Sequence, residues 1–211
     1  MQLYYHPLSP NCTKVLAAAR LLGQPLDLRL VDLQAGEHRG PAYLDLNPNG
    51  LVPLLIDGAL RLSESEAILA YLAETAPDGR FRLETAAARA ERLRWQFWAV
   101  CHWNPALRVF VFERVFKGLL GLGAPDENAL LAAGAEFRQH ARLLDHHLRD
   151  RPWIEGEALG LSDLSLAALL AYHELAGLPL ADFPAMNAWY ARLQALPEWQ
   201  ETLPPLVRAP A

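Results

Sequence analysis

Ser9 stands directly before Pro10, the pairing of an N-cap hydroxyl with a proline at the first helical position. A hydroxyl has two acceptor lone pairs and one donor, so Ser9 can accept from the first turn and still donate to an anion outside it. A helix N-terminus also attracts negative charge. The anion that suits both is a ligand thiolate. A thiol of ordinary pKa, about 8.5, is mostly protonated at neutral pH, and lowering that value by about two units takes roughly 2.7 kcal/mol. A hydrogen bond to a charged group supplies about 1.5–3 kcal/mol and a helix end about 0.3–2, so one hydroxyl at one helix end suffices. Cys12 follows in the run S-P-N-C, where a dithiol oxidoreductase has C-x-x-C. The outer, attacking position is a serine, which leaves dithiol exchange without its nucleophile, and Cys12 reads as a packed first-turn side chain. Tyr5 is the other hydroxyl near this helix start, and its preferred reading is a strand aromatic.

A second set of candidates lies in Asn47–Tyr71, N-P-N-G-L-V-P-L-L-I-D-G-A-L-R-L-S-E-S-E-A-I-L-A-Y. Asn-Gly and Asp-Gly mark turns, and the apolar runs Val52–Ile56 and Ala59–Leu62 read as an antiparallel strand pair. Pro53 opens its strand, and the Val52–Pro53 peptide is open to either cis or trans. Val52 would keep backbone groups free for an extended, peptide-like ligand. Ser63 and Glu66 fit the S-x-x-E capping box of a following helix, which leaves Glu64 and Ser65 unexplained. The Ser65 hydroxyl and the helix N-terminus suit a carboxylate, and Glu64 suits an ammonium. A ligand with a zwitterionic amino-acid end and a peptide bond satisfies both.

Composition bounds the rest. The 211 residues are 52% hydrophobic and 20% charged with a net charge of −5, which describes a soluble globular chain, and no basic stripe interleaves with aromatics for nucleic acid. Two cysteines make no disulfide framework and fit a reducing compartment. Met1 runs into Leu3-Tyr4-Tyr5 without the features of a signal peptide, and no segment reaches the length of a membrane span, so a cytoplasmic location is expected.

The elements that must position these residues fall into two blocks. Gln2–Tyr5 and Leu26–Val31 read as strands around a helix that Gly23 and Pro25 end, a βαβ unit with parallel strands. A polar loop, Gly36-Glu37-His38-Arg39-Gly40, and a short helix near Ala42–Leu46 lead into the second set. Residues 1–76 are thus β-α-β-α-β-β-α, 77–83 a linker, and 84–211 helical: Glu84–Lys117, kinked or broken at Pro105, then Asp126–Arg149, Asp163–Leu175 and Ala185–Leu196.

In this order and spacing, S-P-N-C-T-K-V at 9–15, G-E-H-R-G-P at 36–41, N-P-N-G-L-V-P at 47–53 and E-S-E-A-I-L-A-Y-L at 64–72 resemble the cytosolic glutathione transferases, most of all their serine-type phi and theta-like bacterial classes. The resemblance spans nearly the whole chain. It implies an α+β fold with a thioredoxin-like N-terminal domain and an all-helical C-terminal domain, glutathione as cosubstrate, a homodimer, and a detoxifying attack on a small apolar electrophile. It also implies roles: Ser9 activates the sulfur, Val52 before a cis Pro53 pairs with the cysteinyl backbone, Glu64 and Ser65 hold the γ-glutamyl end, and His38 and Arg39 approach the glycine carboxylate. Leu51 stands where the phi pattern has glutamine, so one polar contact is missing. R-P-W-I-E-G-E-A-L-G-L-S-D-L-S at 151–165 resembles the family's buried capping segment, but Gly160 replaces its cap hydroxyl, which predicts a weaker helix start.

The aromatic-rich 95–116 stretch reads as a buried helix, with a few side chains walling an apolar pocket as the alternative; Trp103, Asn104 and Arg108 are the candidates nearest the ligand sulfur. His140 and His147 share a helix face with His146 nearby, but no third paired ligand completes a metal site and solvated histidines are expected. Other readings of the same groove are a glutathione-dependent reductase, lyase or peroxidase, and a non-catalytic interaction module. A disulfide oxidoreductase centred on Cys12 is the remaining competitor.

Overall fold

Four short strands build the sheet. In a computed structural model, described here for residues 1–207, β1 (Gln2–Tyr5), β2 (Asp27–Leu30), β3 (Leu54–Asp57) and β4 (Leu60–Ser63) form one sheet in the order β2-β1-β3-β4. β1 and β2 are parallel because α1 (Pro10–Leu21) connects them as a crossover, whereas β3 pairs antiparallel with both β1 and β4. Leu3, Leu54 and Leu55 are buried in the sheet, and Val15, Ile68, Leu69 and Leu72 cover them from α1 and α3 (Ser65–Thr75), which lie side by side. A 3-10 turn at Glu37–Arg39 and α2 (Pro41–Leu46) connect β2 to the β3 turn.

Two compact units emerge, Met1–Arg82 with the described chain from Pro197 onward, and Leu83–Leu196. The sequence reading gave the whole of 84–211 to the helical domain. Here α11 (Pro197–Gln200) packs on α1 and Arg20 bonds Glu201, so this segment belongs with the first unit; residues 208–211 lie outside the described residues.

The helical unit comprises α4 (Ala86–Trp98), α5 (Asn104–Val111), α6 (Lys117–Leu119), α7 (Glu127–Leu148), α8 (Leu161–Ala167), α9 (His173–Ala176) and α10 (Pro184–Gln194). Pro105 does not break the first of these runs. Its ring crowds the carbonyl four residues back and it donates no hydrogen bond, and the chain answers with a π turn at Ala99–Trp103 whose flanking residues stay helical. A second π turn at Phe112–Phe116 leads into α6. Trp95, Trp103, Phe137, Leu164 and Trp189 form the buried centre.

The start of α8 corrects the expectation of a weak cap. Asp163 is fully buried and its carboxylate accepts from the Gly160 N–H (2.8 Å), the Ile154 N–H (2.9 Å) and Trp189 Nε1 (2.7 Å). Burial pushes its pKa up to about 7 against the pull of those donors. The cap that Gly160 cannot provide comes from Glu155, whose Oε1 accepts the Ser162 N–H at 3.0 Å while Arg92 holds the carboxylate from α4. A Cβ at residue 160 would lie 2.3 Å from Glu155 Cδ, so glycine and this borrowed cap require each other.

Candidate functional site

α1 begins as its sequence predicts. Ser9 is the N-cap, Pro10 follows, and Ser9 Oγ accepts the Cys12 N–H at 3.4 Å. The Ser9 N–H in turn donates to the His6 carbonyl (3.0 Å), closing the turn between β1 and α1. Cys12 is fully buried, and burial pushes its thiol up to about 11 despite the nearby Ser9 hydroxyl, His6 backbone and Lys14. It is protonated at neutral pH and inaccessible, which removes the nucleophile that an oxidoreductase reading requires.

The start of α3 departs from the expected capping box. Ser63 belongs to β4, paired with Leu54, and the N-cap is Glu64, whose side chain makes no cap bond. Glu66 is drawn elsewhere: its Oε1 lies 2.5 Å from Nζ of Lys14, a lysine only 1% exposed. A buried ammonium binds a carboxylate more strongly than a backbone N–H does, so Glu66 ties α3 to α1, and the N-cap side chain makes no cap bond of its own. Glu64 itself sits at φ 67°, the one non-glycine residue with positive φ among the described residues. Such backbone strain costs about 1–3 kcal/mol and gathers at ligand sites.

Beside this helix start, a shallow cleft of about 310 Å³, solvent included, is lined by Asn11, Asn47, Asn49, Leu51, Val52, Pro53, Ser63, Glu64 and Ser65. Four predicted residues, Val52, Pro53, Glu64 and Ser65, thus come together. The Val52–Pro53 peptide is cis, and Val52 lies outside the paired residues of both ladders, with its backbone uncommitted to the sheet. Ser9 does not line the cleft, but Asn11 in the first turn of its helix does.

His38 and Arg39 are not in the lining either. Arg39 Nε donates to His38 Nε2 at 3.3 Å, and His38 Nδ1 is buried without a partner among the described residues. The His38 carbonyl packs under Gly50, where a Cβ would come within 3.0 Å, so this turn abuts the one that carries Leu51 and Val52. Tyr5 ends β1 opposite Leu30 as a strand aromatic and does not line the cleft.

Sequence reasoning missed the residues that hold the cleft open. The Leu51 carbonyl accepts from Tyr43 Oη (2.7 Å) and from Asn47 Nδ2 (2.8 Å), while Asn47 Oδ1 accepts the Asn49 N–H (3.2 Å). Burial pushes Tyr43 up to about 12, which keeps it a donor. The signal was N-P-N-G, of which only Asn49-Gly50 reads as a turn marker, so Asn47 carried no reading of its own. Leu51, in the expected glutamine position, is 62% exposed, so its backbone and not its side chain is what the fold uses.

In the helical unit, Trp103 is corrected from pocket wall to core. It is fully buried and its Nε1 donates to the Leu166 carbonyl (2.9 Å), a bond that fixes the ring inside the bundle. Asn104 is half-buried with Oδ1 lacking a partner among the described residues, and Arg108 is exposed one turn later. His140 and His147 are half-buried, not solvated: their rings pack on Trp98 and Trp95, and His147 Nε2 lies 2.9 Å from the Ile154 carbonyl. No group of three metal-ligating side chains occurs among the described residues. Nor is any described helix long and apolar enough to cross a membrane.

The chain thus joins a thioredoxin-like unit, with a cleft at the start of α3, to an all-helical unit that follows it in sequence, the two-part architecture of a transferase class that comparison with known proteins identifies. Residues 3–80 match the family model for the glutathione S-transferase N-terminal domain, and residues 97–197 match that for the C-terminal domain. The chain is 35% identical to glutathione S-transferase 3 of Zea mays, over 96% of this chain and 93% of that one. It is 31% identical to FtsZ-localized protein A of Caulobacter vibrioides, over 92% and 87%. Among solved structures it resembles a theta class glutathione S-transferase of Xanthomonas axonopodis pv. citri with glutathione bound, at TM-score 0.87 and 28% identity over 96% of each chain. The chain belongs to the glutathione S-transferase family of transferases.

Proposed function

We propose that the cleft at the start of α3 holds glutathione, that Ser9 stabilises its thiolate, and that the thiolate is transferred to a small apolar electrophile. The observation that carries this reading is the start of α3, where strained Glu64 makes no side-chain cap bond and the buried Ser65 stands at the edge of a cleft that also contains Val52, outside the sheet ladders. In this reading the Ser65 hydroxyl and the first-turn N–H groups take the γ-glutamyl carboxylate and Glu64 takes its ammonium. Val52 pairs with the cysteinyl backbone. The orphan Nδ1 of His38, with Arg39 beside it, suits the glycine carboxylate.

The thiol proton leaves to water and Ser9 keeps its own proton, donating a hydrogen bond to the sulfur anion. The sulfur lone pair forms a carbon–sulfur bond, and the leaving group departs with the electron pair of the bond it breaks. Asn104, whose Oδ1 lacks a partner among the described residues, and Arg108 are the residues we assign to the second substrate. A homodimer belongs to the same proposal, supported by the exposed stripe Leu93, Phe97 and Val100 at helical spacing. So does a cytoplasmic location, which suits two cysteines that are both free thiols.

The test is Ser9→Ala with glutathione and an activated aryl halide. The variant is expected to bind glutathione nearly as well as the wild type, raise the pKa of the bound thiol by about one to two units and lower kcat about 10- to 100-fold. Unchanged thiol ionisation and rate would remove Ser9 from the mechanism.

A further inference from the structure

His6 belongs to no motif, yet its side chain builds the turn that delivers Ser9. Its Nδ1 accepts the Leu8 N–H at 3.2 Å, while its carbonyl accepts the Ser9 N–H at 3.0 Å. One residue therefore receives two consecutive N–H groups of the short link between β1 and the α1 cap, through ring and main chain. An acceptor at Nδ1 requires the neutral imidazole with its proton on Nε2, because the imidazolium presents an N–H at both nitrogens.

We propose that neutral His6 is a positioning residue for Ser9, its Nδ1 clamping the His6–Ser9 turn so that the serine hydroxyl is held at the sulfur site. This rests on the reading of Ser9 given above. The ring is half-buried at the end of β1. The charged group facing it is Asp32 in the loop after β2, whose N–H is itself bonded by the Glu37 carboxylate at 2.7 Å. The Cys12 thiol of α1 meets the His6 backbone and is uncharged. Burial lowers the His6 pKa from its ordinary 6.5 more than Asp32 raises it, so the clamp is closed at neutral pH and opens in acid. On protonation Nδ1 gives its lone pair to a proton and can no longer accept the Leu8 N–H, which loosens the turn on the ring side while the Ser9 N–H keeps the His6 carbonyl.

Asparagine places Oδ1 where histidine places Nδ1 and does not titrate, so His6→Asn keeps the acceptor at every pH, whereas His6→Ala removes it. With glutathione and an activated aryl halide, His6→Ala is expected to lower kcat by about two- to tenfold, the range that one lost hydrogen bond implies, with the glutathione KM within about twofold. The bound thiol's pKa should rise in parallel. His6→Asn should restore most of kcat and lose the part of the wild type's acid loss of rate that exceeds protonation of the bound thiol, titrated separately. A folded His6→Ala variant with unchanged kcat and thiol pKa overturns the proposal, as does a His6→Asn variant whose acid loss, corrected in the same way for thiol protonation, matches the wild type. The asparagine profile decides the matter should the alanine variant fail to fold. If Ser9→Ala shifts the bound thiol and His6→Ala does not, only the inference about His6 falls; if Ser9→Ala shifts nothing, the serine reading falls and takes this one with it.

Discussion

Two helix starts in this chain are built from the same polar residue types and are finished in opposite ways. At α8, Asp163 takes three N–H donors and Glu155, held by Arg92, takes a fourth, all within a buried corner of the helical unit. At α3, the nearby carboxylates do not cap: Glu66 turns to the buried Lys14, and Glu64 sits in a strained backbone conformation with its side chain making no cap bond. A helix start built into a buried network of carboxylates is a folding element, and one without a side-chain cap at a cleft is suited to a ligand. The difference separates the part of the molecule that holds the fold from the part that we assign to glutathione.

Breaking the saturated end should have the largest effect. Asp163→Ala leaves three buried donors without an acceptor, and a loss of about 3–5 kcal/mol is expected in denaturant unfolding. At the open end the sign should reverse: Glu64→Gly relieves the positive φ and is expected to stabilise the protein by about 1 kcal/mol while weakening glutathione binding, with calorimetry reading both. A loss of stability on Glu64→Gly would show that the conformation is not strained. The smallest effect sharpens the comparison at α8. Gly160→Ser supplies the hydroxyl that such a start usually carries, yet it should bring no stabilisation and cost about 1 kcal/mol, because the new Cβ displaces the Glu155 carboxylate. A higher Tm would mean that the borrowed cap is dispensable.

Much of this was legible in the residues themselves. Ser9-Pro10 specified its cap through local chemistry, and the turn dipeptides and apolar alternation located β3 and β4 to within two residues. What failed was decided by partners distant in sequence. S-x-x-E at 63–66 is a sound local signal for a box, but Lys14, 52 residues away, claims the glutamate. Gly160 looked like a missing cap because Arg92, 63 residues before Glu155, is invisible to a local reading. Pro105 looked like a break, and a π turn absorbed it. Trp103 looked like a pocket wall because its type fits either role; the Leu166 carbonyl settles it as core. The candidate glutathione site was more legible than the second-substrate side because its residues cluster in a short stretch of chain, whereas Asn104 and Arg108 carry no motif.

The contrast between the two helix starts can be measured at single amides. In a titration of the folded protein with glutathione, followed by backbone amide shifts and hydrogen exchange, the Ser65 and Glu66 N–H groups should move and gain protection, while the Ser162 N–H, already bound to Glu155, should not. Saturable glutathione binding that leaves Ser65 and Glu66 unchanged, or no binding at millimolar glutathione, would contradict the assignment of the open end of α3 to this ligand.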